Sequence, residues 1–271
     1  MQTQDRIAQE LNIDRSLVKG REPQEIQRRV DFIKDTLRQS GCKALVLGIS
    51  GGVDSLVAGR LCQLAAEQLR AEDYPARFIA MRLPYKSQAD EHDATASLDF
   101  IRPDQTETLN IAAGVDGLMS NLSVPDVSAE RVDFIKGNVK ARARMIAQYA
   151  VANLHNGLVV GTDQGAEALM GFFTKFGDGA CDLAPLSGLT KTQVRLLGAS
   201  LGAPANLVGK LPTADLEELA PGKADEVAYG CTYADIDAYL MGEPVSERVR
   251  AIVEEAYSKT AHKRALPFVP Q

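Results

Sequence analysis

The feature that most restricts this chain is a joint near residue 50, where an apolar run stops at two glycines and a helical pattern starts at once. Residues 43–50, KALVLGIS, read as a buried strand, short and apolar with glycine punctuation at its end. From Asp54 to Arg70, Val57, Leu61, Leu64 and Ala65 fall at i, i+4, i+7 and i+8, one face of an α-helix. The same alternation recurs downstream. Residues 76–84, ARFIAMRLP, form a second expected strand, 106–111, TETLNI, a strand end, and 157–163, GLVVGTD, a further buried strand. Helices are expected over 22–40, with Pro23 in the first turn, over 87–101, and over 128–153, with Ser128 as N-cap. In the last of these, Val132, Ile135, Val139, Ala143, Ile146 and Ala150 make an apolar stripe. Beyond 163 the pattern loosens. Residues 171–191 and 202–224 read as functional loops, and helices return at 192–201, 225–241 and 246–261.

Strands alternating with helices imply an α/β protein whose parallel sheet carries helices on both faces. Ligands of such sheets bind beyond the carboxyl ends of the strands. The loops after Ile49, Pro84 and Gly161 all lie there. No linker-like composition divides the 271 residues, so a single domain over 1–271 is expected.

Composition excludes several classes. Hydrophobic residues at 45% and charged residues at 24% rule out a disordered or collagen-like chain. With 30 basic against 36 acidic residues the net charge is −6, which argues against a nucleic-acid partner. Cys42, Cys62, Cys181 and Cys231 contain no CxxC pair, and His92, His155 and His262 are scattered, so no zinc site is expected. Reduced thiols, a polar N-terminus unlike a signal peptide and no apolar run of about 18 residues point to a cytoplasmic protein without a membrane partner.

The joint itself is Gly48-Ile49-Ser50-Gly51-Gly52-Val53-Asp54-Ser55. Glycines allow the backbone to approach a ligand, and the loop amides with the helix N-terminus behind them make an anion site. Ser50 and Ser55 add hydroxyl donors. Asp54 would repel a phosphate unless Mg²⁺ bridged them, since magnesium takes oxygens from carboxylates and phosphates together. The loop is not a Walker A motif, because a lysine is required where Asp54 stands. A plain glycine turn with an acid at the helix start is the simpler alternative.

SGGVDS resembles the pyrophosphate loop of the N-type ATP pyrophosphatases, which cleave ATP between its α and β phosphates to adenylate a substrate. Six further stretches occur in order: 79–91, IAMRLPYKSQADE; 138–148, NVKARARMIAQ; 160–167, VGTDQGAE; 171–182, GFFTKFGDGACD; 185–191, PLSGLTK; and 212–217, PTADLE. With the tail Thr260-Ala261-His262-Lys263-Arg264, they resemble bacterial ammonia-dependent NAD synthetases from about residue 25 to 264. Gln164 and Ala180 depart from common versions of the pattern, and residues 1–20 match loosely.

The resemblance implies a Rossmann-like, adenine nucleotide alpha hydrolase-like fold. It also implies amidation of deamido-NAD (nicotinic acid adenine dinucleotide) with ammonia, through an acyl-adenylate, releasing AMP and pyrophosphate. By resemblance, Gly48, Ile49, Ser50, Gly51, Gly52, Val53, Asp54 and Ser55 hold the ATP phosphates, and Thr162, Lys191 and Thr213 also contact ATP. Asp54 and Glu167 match Mg²⁺ ligands, and Arg142, Lys175, Asp182, His262 and Lys263 match contacts to deamido-NAD. Lys191 and Asp178 match catalytic positions, Asp178 near the ammonia. Taken singly, each is unremarkable: Arg142 would be a solvated helix residue, Glu167 an early-turn acid, Lys175 and Asp182 loop polars, His262 and Lys263 a helix C-terminal pair, and Thr213 with Asp215 an N-cap.

The resemblance further implies a homodimer, with the 128–153 helix as a candidate dimer element. Loops at 84–90 and 205–224 are candidates to close over the nucleotides and exclude water. No stretch is left over for a glutaminase, so free ammonia is the expected donor. The competing readings are another adenylating ATP pyrophosphatase, a non-catalytic nucleotide sensor on the same fold, and a purely structural homodimer.

Overall fold

A computed structural model describes residues 3–86, 91–123, 125–213, 216–220, 222–267 and 269–270. The chain opens with helix α1 (Thr3–Glu10) and helix α2 (Glu22–Ser40), followed by strand β1 (Ala44–Gly48), helix α3 (Val53–Ala71) and strand β2 (Arg77–Arg82). Helix α4 (Glu91–Ile101), strand β3 (Gln105–Thr108), helix α5 (Ala112–Ser120), helix α6 (Ala129–Leu154) and strand β4 (Gly157–Val159) complete the sheet unit. Helices α7 (Gly165–Met170), α8 (Lys191–Ser200), α9 (Ala205–Val208), α10 (Asp225–Tyr229), α11 (Tyr233–Met241), α12 (Glu247–Lys259) and α13 (Ala261–Arg264) follow.

The four strands pair in parallel in the order β3-β2-β1-β4, with Val46 opposite Ile79 on one side and Val159 on the other. Because side chains alternate along a strand, the two central strands feed two cores. Leu45, Leu47, Phe78 and Ala80 pack against Ile33 and Leu37 of α2, Leu61 and Ala65 of α3, and Val194 and Leu197 of α8. Ala44, Val46, Ile79 and Met81 pack against Val115 of α5 and Ala147 and Val151 of α6. Both faces are therefore covered, as the continuous apolar runs require.

A third core joins helices that sequence patterning left vague. Ile7 of α1, Ala166 and Leu169 of α7, Ile236, Tyr239 and Leu240 of α11, and Val249 and Val253 of α12 form it. This unit carries no strand, and it fixes α7 and α8 beside the carboxyl end of the sheet. Helix α1 lies within the stretch that matched the family pattern least.

Several expected boundaries need correction. The expected helix 225–241 is two, α10 and α11, because Gly230 at φ +73° ends the first and Thr232 caps the second. The strand expected over 157–163 pairs only to Val159, after which Val160 forms an isolated bridge to Leu183. The strand over 106–111 is shifted to Gln105–Thr108. The helix expected from 87 begins, as described, at Glu91, and residues 87–90 of the expected 84–90 loop lie outside the described residues. Thr213 pairs with Ala224 in an isolated antiparallel bridge rather than capping a helix, and Asp215 lies outside the described residues. Ser128 does cap α6, its Oγ accepting from Arg131 N at 3.3 Å. The apolar stripe of α6 only partly coincides with its buried face: Val139 and Ala143 pack against the second core. Ile146 is 64% exposed, whereas Asp133, Gly137, Lys140, Ala141, Ala147 and Val151 turn inward.

Candidate active site

The glycine joint folds into a tight loop at the carboxyl end of β1. Gly51 has φ +86°, a left-handed conformation that favours glycine, and a Cβ there would lie 3.0 Å from Ala94 N and 3.2 Å from Asp93 Cβ. Ser50 Oγ and Ser55 Oγ are 3.1 Å apart, and Ser55 Oγ donates to Gly52 O at 3.1 Å. Gly48 N donates to Gln148 Oε1 of α6 at 2.8 Å, which ties the loop to the opposite face of the sheet. The loop opens on a cavity of about 450 Å³.

A buried charge cluster forms the cavity floor. Lys191 Nζ lies 2.5 Å from Asp54 Oδ2 and 3.9 Å from Glu167 Oε1. Lys191 is the first residue of α8, where the positive end of the helix dipole disfavours a cation. Two features offset that cost. Thr190 and Gln193 form a complete capping box, and buried Asp237 of α11 accepts from Lys191 N at 3.2 Å and Thr192 N at 2.7 Å. Burial works against the charge on Lys191, but Asp54 and Glu167 outweigh it and its pKa is raised.

The acids around the lysine are too many for it to neutralise. Burial, then Asp178 and Asp54, push Asp163 up to about 7. Burial and Asp54 push Glu167 well above the usual carboxylate range, against the pull of Lys191. Burial raises Asp178, although its Oδ1 accepts from Thr174 N at 2.8 Å. Asp54 Oδ1 is buried and has no hydrogen-bond partner among the described residues. Such an oxygen beside Glu167 suits a hard cation. Among the described residues no cluster of three or more His, Cys, Asp or Glu is arranged to hold a metal by itself, so ligand oxygens would have to complete the shell.

The structure gathers most of the residues singled out in sequence. Gly48, Ile49, Ser50, Gly52, Val53, Asp54, Ser55, Thr162, Glu167, Asp178, Lys191, Thr213 and Lys263 line the cavity. Gly51 sits behind them, against α4. Arg142, Lys175 and His262 do not line it, but they form one chain beside it. Arg142 Nη2 donates to Lys175 O at 3.1 Å, and Lys175 Nζ donates to His262 O. Lys263 Nζ donates to Gly171 O at 2.9 Å and Phe173 O at 2.8 Å, and burial lowers its pKa. Asp182 faces neighbouring structure: Oδ2 accepts from Val159 N at 2.7 Å and Oδ1 from Tyr149 OH at 3.4 Å.

Sequence reasoning passed over four residues with clear roles here. Asp163 is the acid of the Gly-Thr-Asp loop and Lys210 sits three residues before Thr213; each adjoined a recognised motif and was readable on that ground. Asp237 and Gln148 act from distant helices, and no local signal marks them.

Comparison with known proteins agrees with this geometry. The family described as NAD synthase matches residues 25–267. The NH(3)-dependent NAD(+) synthetase of Ectopseudomonas mendocina is 62% identical over 249 residues, 91% of this chain and 90% of that protein. The crystal structure of NAD+ synthetase from Burkholderia pseudomallei is similar at TM-score 0.83 and 49% identity, covering 97% of this chain and 96% of that one. The structure of NMN synthetase from Francisella tularensis is similar at TM-score 0.79 and 32% identity, covering 92% and 98%. With a family match over most of its length and the glycine loop, lysine and carboxylates assembled at one cavity, the chain belongs to the NAD synthase family.

Proposed function

We propose that this chain is a ligase that amidates deamido-NAD with ammonia, using ATP as co-substrate. The observation that carries the reading is Lys191 Nζ at 2.5 Å from Asp54 of the glycine loop, in a chain 62% identical to an NH(3)-dependent NAD(+) synthetase. The loop amides and the hydroxyls of Ser50 and Ser55 would receive the ATP phosphates, with Thr162 and Thr213 on the facing walls. Arg142, Lys175, Asp182, His262 and Lys263 would receive the anionic dinucleotide. Asp54 and Glu167 would hold Mg²⁺, which supplies neutralisation of phosphate charge.

In the first step a nicotinate carboxylate oxygen attacks the α phosphorus. A bond from that oxygen to phosphorus forms, the bond to the bridging oxygen breaks, and its electron pair leaves with pyrophosphate. Lys191 is a compact cation aimed at the charge that grows on the phosphates. In the second step ammonia attacks the acyl carbon, and the carbon–oxygen bond breaks to release AMP. Asp178 would attract ammonium and accept the proton that the nitrogen loses, a role supported by its raised pKa, which makes it a better base than an exposed aspartate.

Two further parts belong to the proposal. A homodimer is supported by apolar side chains left exposed on α5, on α6 and between them, among them Leu118, Leu122 and Ile146. A cytoplasmic location is supported by four free cysteines. No helix among the described residues is long and apolar enough to cross a membrane.

The test mixes protein with Mg-ATP, deamido-NAD and ammonium chloride and follows NAD with a coupled dehydrogenase. Parallel reactions replace ammonium by glutamine, and deamido-NAD by nicotinate mononucleotide. NAD formed with ammonium and not glutamine supports the proposal. Amidation of the mononucleotide alone would move the assignment toward the activity named for the Francisella protein. AMP and pyrophosphate formed only with another acceptor would keep the adenylation chemistry and overturn the substrate.

A further inference from the structure

The glycine loop is held by two lysines, and only one of them has a role so far. Lys191 holds Asp54 at the helical end of the loop. At the loop tip, Lys210 Nζ lies 3.4 Å from Gly51 O and 2.6 Å from Asp93 Oδ2. The contact is built from three separate parts of the chain. Gly51 comes from the loop after β1, Asp93 from the first turn of α4, and Lys210 from the segment after α9. Gly51 is packed against α4 so tightly that a Cβ would meet Ala94 N at 3.0 Å. Lys210 and Thr213 both line the cavity, so the 210–213 segment presents two ligand-facing positions to it.

We propose that Lys210 is a phosphate-binding residue that receives the pyrophosphate half of ATP, with Asp93 as a positioning residue that keeps its ammonium at the loop tip. The inference rests on the ATP-cleaving function proposed above. A carboxylate at the tip of an anion-binding loop would repel phosphate if it stood alone. Paired with Lys210, Asp93 is neutralised and at the same time aims the cation at the loop. Its side chain stays 30% exposed and that of Lys210 22%, so the ammonium can turn from Asp93 toward an arriving phosphate without breaking a buried pair. When the α phosphorus is attacked, the electron pair of the breaking bond leaves on pyrophosphate. The two ammonium groups, at Gly51 and Asp54, bracket the place where that charge accumulates. What the leaving group needs here is positive charge at the loop tip, and lysine supplies it as a compact point charge on a flexible stem.

The test is isothermal titration of the full-length protein with magnesium pyrophosphate and, separately, with AMP, alongside the Michaelis constant for ATP. In Lys210→Ala and Lys210→Gln, pyrophosphate affinity is expected to fall at least about tenfold and the Michaelis constant for ATP to rise, with AMP binding unchanged. Lys210→Arg keeps the charge and is expected to stay within about threefold of the parent. The double variant Lys210→Ala/Asp93→Asn is expected to recover part of the loss, because the stranded carboxylate is gone. Pyrophosphate binding unchanged in both neutral variants would overturn the inference, as would equal loss of AMP and pyrophosphate. A parent protein that itself fails to bind pyrophosphate would overturn the proposed function and this inference with it.

Discussion

Lys191 Nζ lies 2.5 Å from Asp54 Oδ2, although the two residues are 137 positions apart in the chain. The contact joins the N-terminus of α8 to the N-terminus of α3, so two helix dipoles and one ion pair converge where a polyphosphate would lie. The lysine is nearly inaccessible, its side chain 3% exposed, whereas Asp54 is 14% exposed toward the cavity. A cation that is buried but faces a cavity through its partner is arranged for an anionic ligand, not for solvent.

Replacing Lys191 by methionine keeps the volume and removes the charge. Pyrophosphate release is expected to fall by about 100-fold or more, since a preorganised charge at the reacting phosphate is lost. Glu167 already has a raised pKa, so it can take up a proton and spare the fold an unpaired buried charge. Quenched-flow measurement of pyrophosphate, with the far-ultraviolet circular dichroism of the variant compared to the parent, checks this. Release within a factor of about three of the parent would remove Lys191 from the chemistry.

Asp237 acts one step further back. Its carboxylate accepts from the first two amides of α8, and burial raises its pKa against those donors. Asp237→Ala leaves the amides of buried Lys191 and of Thr192 without their acceptor, and a loss of about 1–3 kcal/mol in stability is expected by denaturant titration. Asp237→Asn retains an acceptor for one amide and should lose less. In both variants turnover should fall along with stability, because the backbone that aims Lys191 shifts.

Sequence reading reached the sheet and the loop because both are local. The run Ala44–Gly48 and the alternation in α3 are each written within about 20 residues. Matching motifs in order placed Lys191, Glu167 and Asp178 near the loop without any geometry. What stayed illegible was set by long-range packing. The third core draws α1, α7, α11 and α12 together, and no single one of those helices announces its partner. The inward face of α6 was not legible from its stripe, because that helix turns Gly137, Lys140 and Ala141 toward the cavity side and the loop segment at Leu216, so polar and small residues are buried while Ile146 is not. The partners of Asp182 were equally illegible, since Val159 and Tyr149, which its oxygens serve in the unliganded chain, lie more than 20 residues away in sequence.

The acidic cluster gives the unliganded protein a definite response to pH. Asp163 titrates near 7 in the folded state against an ordinary value of 3.8, and burial, Asp178 and Asp54 cause the rise. A raised carboxylate pKa means the folded state holds its proton longer than the unfolded state. The stabilising contribution is complete below the ordinary value and is lost as pH climbs through about 7. Glu167 and Asp178 are shifted in the same direction. Asp163→Asn should therefore melt higher than the parent near pH 8, by about 2 °C or more, and the gain should shrink near pH 5. Differential scanning calorimetry without ATP or magnesium measures it, and an equal gain at both pH values would contradict the coupling.

The proposed homodimer makes its own demand on α6. Ile146 is 64% exposed and Phe134 46% exposed on a helix that otherwise packs against the sheet, and Leu118 at 53% lies on the adjacent α5. A monomer gains nothing from isoleucine in water at that position, whereas burial of such a side chain between two copies contributes about 1.5–3 kcal/mol per copy. Ile146→Arg puts a charge into that contact twice, once from each copy, and each charge must be desolvated for the dimer to form. Light scattering after size exclusion should show the parent at twice the chain mass and the variant shifted to the chain mass at micromolar concentration. Circular dichroism of the variant should match the parent, because the side chain contributes little to the core of its own chain. A variant that stays at the parent's mass would move the dimer contact off this face of α6.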